Sequence, residues 1–471
     1  MGKIFESSFL LRALNAAARW IDGQWAKSPL GGFFTRVGRG EAAAESSVFF
    51  RLWRLLAGWI FRLFRFLRLD RLFAGSILQR TALFAIAAAA AAPLVPTMAL
   101  LALVVLGFLS FLIHVGTDAD FRPVYSPVNL FIWLFAGVYL VCTFSSVTPE
   151  ESLEGGLLTF AFVLFAFVLM NGVRTRRDAD RLTGLLVAAG AAVSCYGIYQ
   201  AVTGVTSTST WVDTEKFASL TLRVYATLDN PNVLSEYLLL VIPLGAACTC
   251  SGRGWKRLAA LAATGLMAVC MLLTYSRGGW LGLIAAAALF LVLLDRRFIV
   301  LGLVCGLGLL FVLPESVLAR FSSITDLSDS STTYRISIWL GAITMLKQYW
   351  FCGLGTGTAA FTAVYPAYSF NAVSASHTHN LFLQITCECG VCGLLSLLGA
   401  ILAFYRCCGQ ALRAKPDRPL RLRLIALMSG VFGFLLQSLT DHSFYNYRVM
   451  FLFWVFMALS VIYAKCAKEQ P

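Results

Sequence analysis

From Thr81 onward, apolar runs of about 17 to 25 residues, each long enough to cross the hydrocarbon of a bilayer, follow one another with mostly short polar joints between them. With 59% hydrophobic and only 13% charged residues, the 471-residue chain cannot bury this surface in one soluble core. In lipid every backbone N–H and C=O must be satisfied within its own segment, so the pattern predicts an all-α integral membrane protein. About twelve spans are expected at this length per crossing: near 81–95, 97–115, 128–145, 155–173, 182–203, 232–250, 257–275, 279–294, 298–314, 380–404, 421–440 and 449–465. Pro93 and Pro96 split residues 81–115, which leaves both a tight hairpin and one broken helix open.

The joints alternate in charge. One set holds Arg174, Arg176, Arg177 and Arg181, then Arg253, Lys256 and Arg257, then Arg296 and Arg297, then Arg406, Arg413, Lys415, Arg418, Arg421 and Arg423. The joints between them are acidic or nearly neutral, as at Glu150, Glu151 and Glu154. Because Lys and Arg are retained in cytoplasmic joints, both termini are expected in the cytoplasm. The chain then divides into a basic cytoplasmic extension (1–80), nine spans (81–314), a long outer segment (315–378) and three further spans (379–471).

Residues 1–80 carry 13 Lys and Arg against 5 Asp and Glu. From Phe49 to Phe73 the arginines 51, 54, 62, 65, 68 and 71 recur mostly three apart among Trp, Phe and Leu, the pattern of an amphipathic helix lying on anionic membrane lipids. A merely solvated basic tail would not need such large apolar residues. This extension and the inside bias account for the net charge of +14, so no nucleic-acid partner is implied. No cleavable signal peptide is expected, since the first strong apolar segment begins after residue 80. The 13 cysteines fall mostly in spans or cytoplasmic joints, which argues against a disulfide framework. Cys387, Cys389 and Cys392 read as small packing residues, because positions two apart leave a helix on different sides.

Chemistry concentrates on the opposite, outer side. Arg223 precedes the turn Asn230-Pro231-Asn232, Arg277 lies in Tyr275-Ser-Arg-Gly-Gly-Trp-Leu281, and Arg335 lies in Thr332-Thr-Tyr-Arg-Ile-Ser-Ile-Trp339. Three arginines placed against the positive-inside trend imply an anionic ligand, and the planar guanidinium suits phosphate. The bland alternatives are snorkelling to lipid headgroups and, for Arg320, simple loop structure. His377 and His379, two of only four histidines, stand with Asn380 at the head of the tenth span. His379 is placed to act as a general base and His377 to tune it. Glu236 and Glu388 are costly inside spans, and Glu236, four residues past Asn232, is close enough in sequence to reach the outer site. Gly353-Leu-Gly-Thr-Gly357 follows no strand and reads as a backbone corner. Asp326 and Asp329 read as turn residues, and no Asp-x-Asp metal cluster occurs.

Over residues 200–445 the chain resembles the O-antigen ligase and O-antigen polymerase superfamily of bacterial membrane glycosyltransferases. The resemblance rests on Arg223 with Thr227 and Asn230-Pro-Asn232, on Arg277-x3-Leu281, on Arg335 with Trp339 leading to Gly353-Leu-Gly-Thr-Gly357, and on His379-Asn380 with Glu388 and Gly390 in a His-x10-Gly pattern. It implies a GT-C-like fold in the bacterial inner membrane with a long helical outer loop between spans nine and ten. It implies en bloc transfer of a glycan from an undecaprenyl diphosphate carrier to an acceptor lipid or glycan, with inversion and without metal or other cofactor. Arg223, Arg277 and His379 would be catalytic, and Arg335, Asn232, Glu236, Asn380 and His377 would bind substrate. The basic extension of residues 1–80 departs from the family's usual short start. A polymerase that extends lipid-linked repeats is the nearest alternative. A lipid-linked oligosaccharide flippase is the alternative from another class, against which stand the absence of an internal repeat and cations grouped at one interface instead of the midplane.

Overall fold

The computed structural model describes residues 48–204, 223–295 and 330–469, with a few positions between 16 and 32 and residues 298 and 302. The described residues form helices α1 (Val48–Phe66), α2 (Leu69–Phe73), α3 (Thr81–Ala91), α4 (Thr97–Thr117), α5 (Pro127–Phe144), α6 (Pro149–Gly172), α7 (Arg176–Thr203) and α8 (Pro231–Ser251). There follow α9 (Gly254–Leu273), α10 (Arg277–Leu294), α11 (Ser330–Tyr349), α12 (Thr358–Val364), α13 (Leu381–Arg413), α14 (Arg418–Gln437) and α15 (Tyr447–Lys468). No strand occurs among them.

Ten of these helices are long and apolar enough to cross a membrane, and they fall on ten of the expected spans. The expected span at 81–95 is instead the 11-residue α3. It forms an antiparallel hairpin with α4, in which Ser110 Oγ donates to the Leu78 carbonyl at 2.6 Å beside the start of α3. Pro93 and Pro96 fall in the hairpin turn, where a missing N–H costs nothing. The span expected at 298–314 lies outside the described residues, as do Arg296, Arg297, Arg320, Asp326, Asp329 and almost all of residues 1–47.

The basic joints meet at one end of the bundle. Arg176 pairs with Asp417 at 2.8 Å, Arg423 with Asp180 at 3.3 Å, and Arg421 donates to the carbonyl of Leu294 at 3.1 Å. These pairs show that joints far apart in sequence share one end of the bundle. The joints at 145–149, 274–276 and 438–446 gather at the other end, called here the site end.

Helix α15 runs through the middle, with Met450 to Leu459 all at most 1% exposed. A helix apolar on every face has to be surrounded. Close approach elsewhere depends on glycine: a Cβ on Gly282 of α10 would stand 2.7 Å from the Gly433 carbonyl of α14. On the outside of the bundle, α1 packs Trp53 against Phe111 and Phe167, with ring centroids 6.4 and 5.1 Å apart. All six arginines between Arg51 and Arg71 are exposed. The expected single helix breaks at Arg68, whose positive φ of 57° separates α1 from α2.

Candidate active site

Three helices begin at the site end with the same local construction. Asn230, Ser276 and Asn380 are extended N-caps whose side chains accept from the backbone N–H of Asn232, Gly279 and Leu383 at 2.8, 3.3 and 2.9 Å. The residue before each cap, Asp229, Tyr275 and His379, adopts a positive φ of 64°, 49° and 48°. A non-glycine residue in this region costs on the order of 1–3 kcal/mol and persists only where its surroundings enforce it. The starts of α8, α10 and α13 direct partial positive charge toward the same volume.

That volume is a cavity of about 390 Å³ whose wall includes Arg223, Asn232, Arg277, Arg335, His379 and Asp441. Five residues singled out from sequence are thus brought together from positions up to 156 apart. Arg223 is buried; its Nε donates to the Thr274 carbonyl and its Nη2 to Asn232 Oδ1, both at 2.9 Å. Arg277 donates through Nη2 to Ser331 Oγ at 2.5 Å, which joins α10 to α11. Helix α11, carrying Arg335, is laid over the site by two further bonds: Trp339 Nε1 to the Thr378 carbonyl at 2.8 Å and Tyr334 Oη to the Ser374 carbonyl at 2.9 Å.

Three substrate candidates stand behind this wall. Asn380 is occupied as the α13 cap and donates through Nδ2 to the Leu439 carbonyl at 2.8 Å. Glu236 is 1% exposed and accepts from Ser443 Oγ at 3.1 Å; it lies on the same face of α8 as Asn232 but one helical turn deeper in the bundle, below the cavity. His377 lies against His379, ring centroids 4.2 Å apart, and stacks on Tyr445 at 5.0 Å. Glu388 is 4% exposed and paired, accepting from Tyr139 Oη at 3.1 Å and Gln384 Nε2 at 2.9 Å.

Asp441 is the group that sequence reasoning missed. Its Oδ1 lies 3.5 Å from His379 Nδ1, long for a hydrogen bond but close enough for strong electrostatic coupling. The three arginines share their site with this carboxylate. Burial alone would raise the Asp441 carboxyl, but the contact from His379 and the charge of Arg335 hold it well below the usual carboxylate range. A carboxylate facing Nδ1 favours the proton on that nitrogen and leaves the Nε2 lone pair to act as a base. The signal was present in Leu439-Thr-Asp-His-Ser443, a polar break between two apolar runs that holds an acid and the fourth histidine. Arg448 was also missed. It is buried and donates to the Thr227 carbonyl at 2.8 Å and to Asp229 Oδ2 at 3.0 Å, pinning the turn that carries Asn230 and Asn232.

His377, His379 and Asp441 also present ligand atoms within 4.8 Å of one another, a spacing a divalent cation would accept. Their competitor for the Asp441 charge is Arg335.

Acid should loosen this cluster. Burial, then the neighbouring His379, pull His377 down from 6.5 to about 4, and burial pulls His442 well below its ordinary value. A histidine that binds its proton less readily when folded opposes unfolding fully above its unfolded value, and loses that contribution as pH falls toward the folded value. The melting temperature in detergent is expected to fall between about pH 6.5 and 4, and His377→Gln should flatten that dependence. An unchanged slope would show that His377 is already exposed to solvent protons.

The polypeptide from 262 to 398, which contains Arg277, Arg335, His379 and the His-x10-Gly pattern, matches a family model described as O-Antigen ligase. No curated protein matches the chain. The match carries with it a membrane enzyme of ligase or polymerase type and, in general terms, lipid-linked glycan substrates. The match covers 137 of the 471 residues and, taken with the ten apolar helices, supports the resemblance to the O-antigen ligase and polymerase superfamily.

Proposed function

We propose that the protein transfers a glycan en bloc from an undecaprenyl diphosphate carrier to an acceptor hydroxyl, on the outer face of a bacterial inner membrane, with both termini in the cytoplasm and the basic segment of residues 1–80 on the inner leaflet. The observation that carries the reading is the convergence of Arg223, Arg277 and Arg335 with His379 and Asp441 on one cavity. The arginines and the three helix starts hold the diphosphate. His379 Nε2 takes the proton of the acceptor hydroxyl, whose oxygen forms the new bond to the anomeric carbon. The bond from that carbon to the diphosphate oxygen breaks, its electron pair leaves with the diphosphate, and the arginines neutralise the charge that develops. Attack opposite the leaving group inverts the anomeric centre.

Arginine charge performs the role that a metal ion has in other transferases, so transfer by the reconstituted protein should proceed undiminished in chelator. Activity lost in chelator and restored by a divalent cation would reassign His377, His379 and Asp441 as metal ligands. Product analysis in the same assay separates the two family activities: one addition per acceptor is expected, and a lengthening ladder on the carrier would identify a polymerase.

A further inference from the structure

A second cavity, of about 320 Å³, lies on the other side of the histidine cluster. Its wall includes Tyr139, Thr358, Glu388, His442, Tyr445 and Tyr447. The chain passes directly from one cavity to the other, since Asp441 lines the first and His442 the second. Between them stand the histidine rings: His377 is tilted against its two neighbours, 4.2 Å from His379 and 5.6 Å from His442, centroid to centroid.

The two cavities differ in chemistry. Among the described residues no arginine or lysine lines the second, so it offers a phosphate no guanidinium or ammonium partner. It offers instead three tyrosine rings with their hydroxyls, one carboxylate and one imidazole. Glu388 and His442 are 4% and 8% exposed, and the buried Nδ1 of His442 has no hydrogen-bond partner. An unsatisfied buried polar atom costs about 1–3 kcal/mol. A face of C–H groups with a rim of hydroxyls is the complement of such a wall, since aromatic rings cover the face and polar tips take the rim.

We propose that this second cavity is the acceptor subsite and takes a neutral sugar ring, placing the ring's hydroxyl edge against the histidine cluster while the diphosphate occupies the cationic cavity. The assignment rests on the glycan-transfer reading above and adds where the acceptor sits. It gives the three site-end histidines a common place: they form the partition across which the acceptor oxygen meets the anomeric carbon.

The test is sugar binding by the full chain in lipid nanodiscs, read by saturation-transfer NMR with the methyl glycosides of a hexose, a heptose and an N-acetylhexosamine. At least one glycoside should bind. Tyr445→Ala, which removes a ring from the wall, should weaken it about tenfold. Thr358→Trp, an exposed position at the start of α12, should block it by filling the cavity. Arg277→Ala should leave glycoside binding intact. Binding of no glycoside overturns the proposal, and so does binding that survives both wall variants or is lost in Arg277→Ala. The assay needs neither carrier nor turnover. Glycoside binding in a protein that transfers nothing would overturn the transfer reading and leave the cavity a sugar site.

Discussion

His379→Ala is expected to lower the transfer rate by about 10²- to 10⁴-fold, the range over which a positioned general base contributes, while the carrier still binds. The division follows from the geometry. The arginines that would grip the diphosphate are anchored independently of His379: Arg223 by Thr274 and Asn232, Arg277 by Ser331. Binding of a diphosphate carrier to the variant, measured beside its single-turnover rate, separates the two roles. In the proposed mechanism Asp441 acts through His379 as a positioning residue, so Asp441→Asn should cost less than His379→Ala. The double variant should be no slower than His379→Ala alone, because a carboxylate that only orients the imidazole has nothing to do once the imidazole is gone. Near-normal transfer by His379→Ala would remove the base from the mechanism. A further drop in the double variant would give Asp441 a direct role in the reaction.

Gly390→Ala should destabilise the fold by about 3 kcal/mol or more, because it strains a backbone that only glycine adopts readily and adds a clash to it. Helix α13 breaks at this residue, where φ is 62° and ψ is −164°. The break lets a second backbone dock on the helix: Leu354 N–H donates to the Cys387 carbonyl at 2.7 Å, Gly355 N–H to the Glu388 carbonyl at 3.1 Å, and Val391 N–H to the Trp350 carbonyl at 2.8 Å. A Cβ on Gly390 would collide with the Phe351 carbonyl, which is backbone and cannot swing away. Gly353, Gly355 and Gly357 carry the other side of the junction at φ of 75°, 107° and 91°. Melting in detergent should drop sharply for Gly390→Ala, whereas Gly265→Ala, a helical position with nothing within 4 Å, should melt at or slightly above the parent temperature. Equal melting of the two variants would show that the junction is not needed for the fold.

This junction gives a physical reason for the His-x10-Gly spacing. His379 closes the turn that starts α13, and Gly390 ends its first segment where the Gly353–Gly357 corner must enter. The motif therefore joins one candidate functional residue to one backbone requirement, held apart by a fixed length of helix. Arg277-Gly-Gly-Trp-Leu281 divides in the same way: Arg277 faces the cavity, while a Cβ on Gly279 would stand 2.6 Å from Ser235 of α8.

Hydrophobic run length and charge alternation are local properties of the chain, and so the sequence by itself determined an all-helical membrane protein, the positions of ten spans and the two ends at which its joints collect. The unusual placement of Arg223, Arg277, Arg335 and His379 was legible for the same reason, since each breaks a local rule. Which of them share a wall was not legible. That depends on how α8, α10, α11 and α13 pack side by side, and on side-chain direction one turn at a time, which puts Asn232 in the cavity and Glu236 beneath it. Asp441 was marked in the sequence only by a short polar break, which names no partner for it; only the tertiary structure sets its carboxylate 3.5 Å from His379.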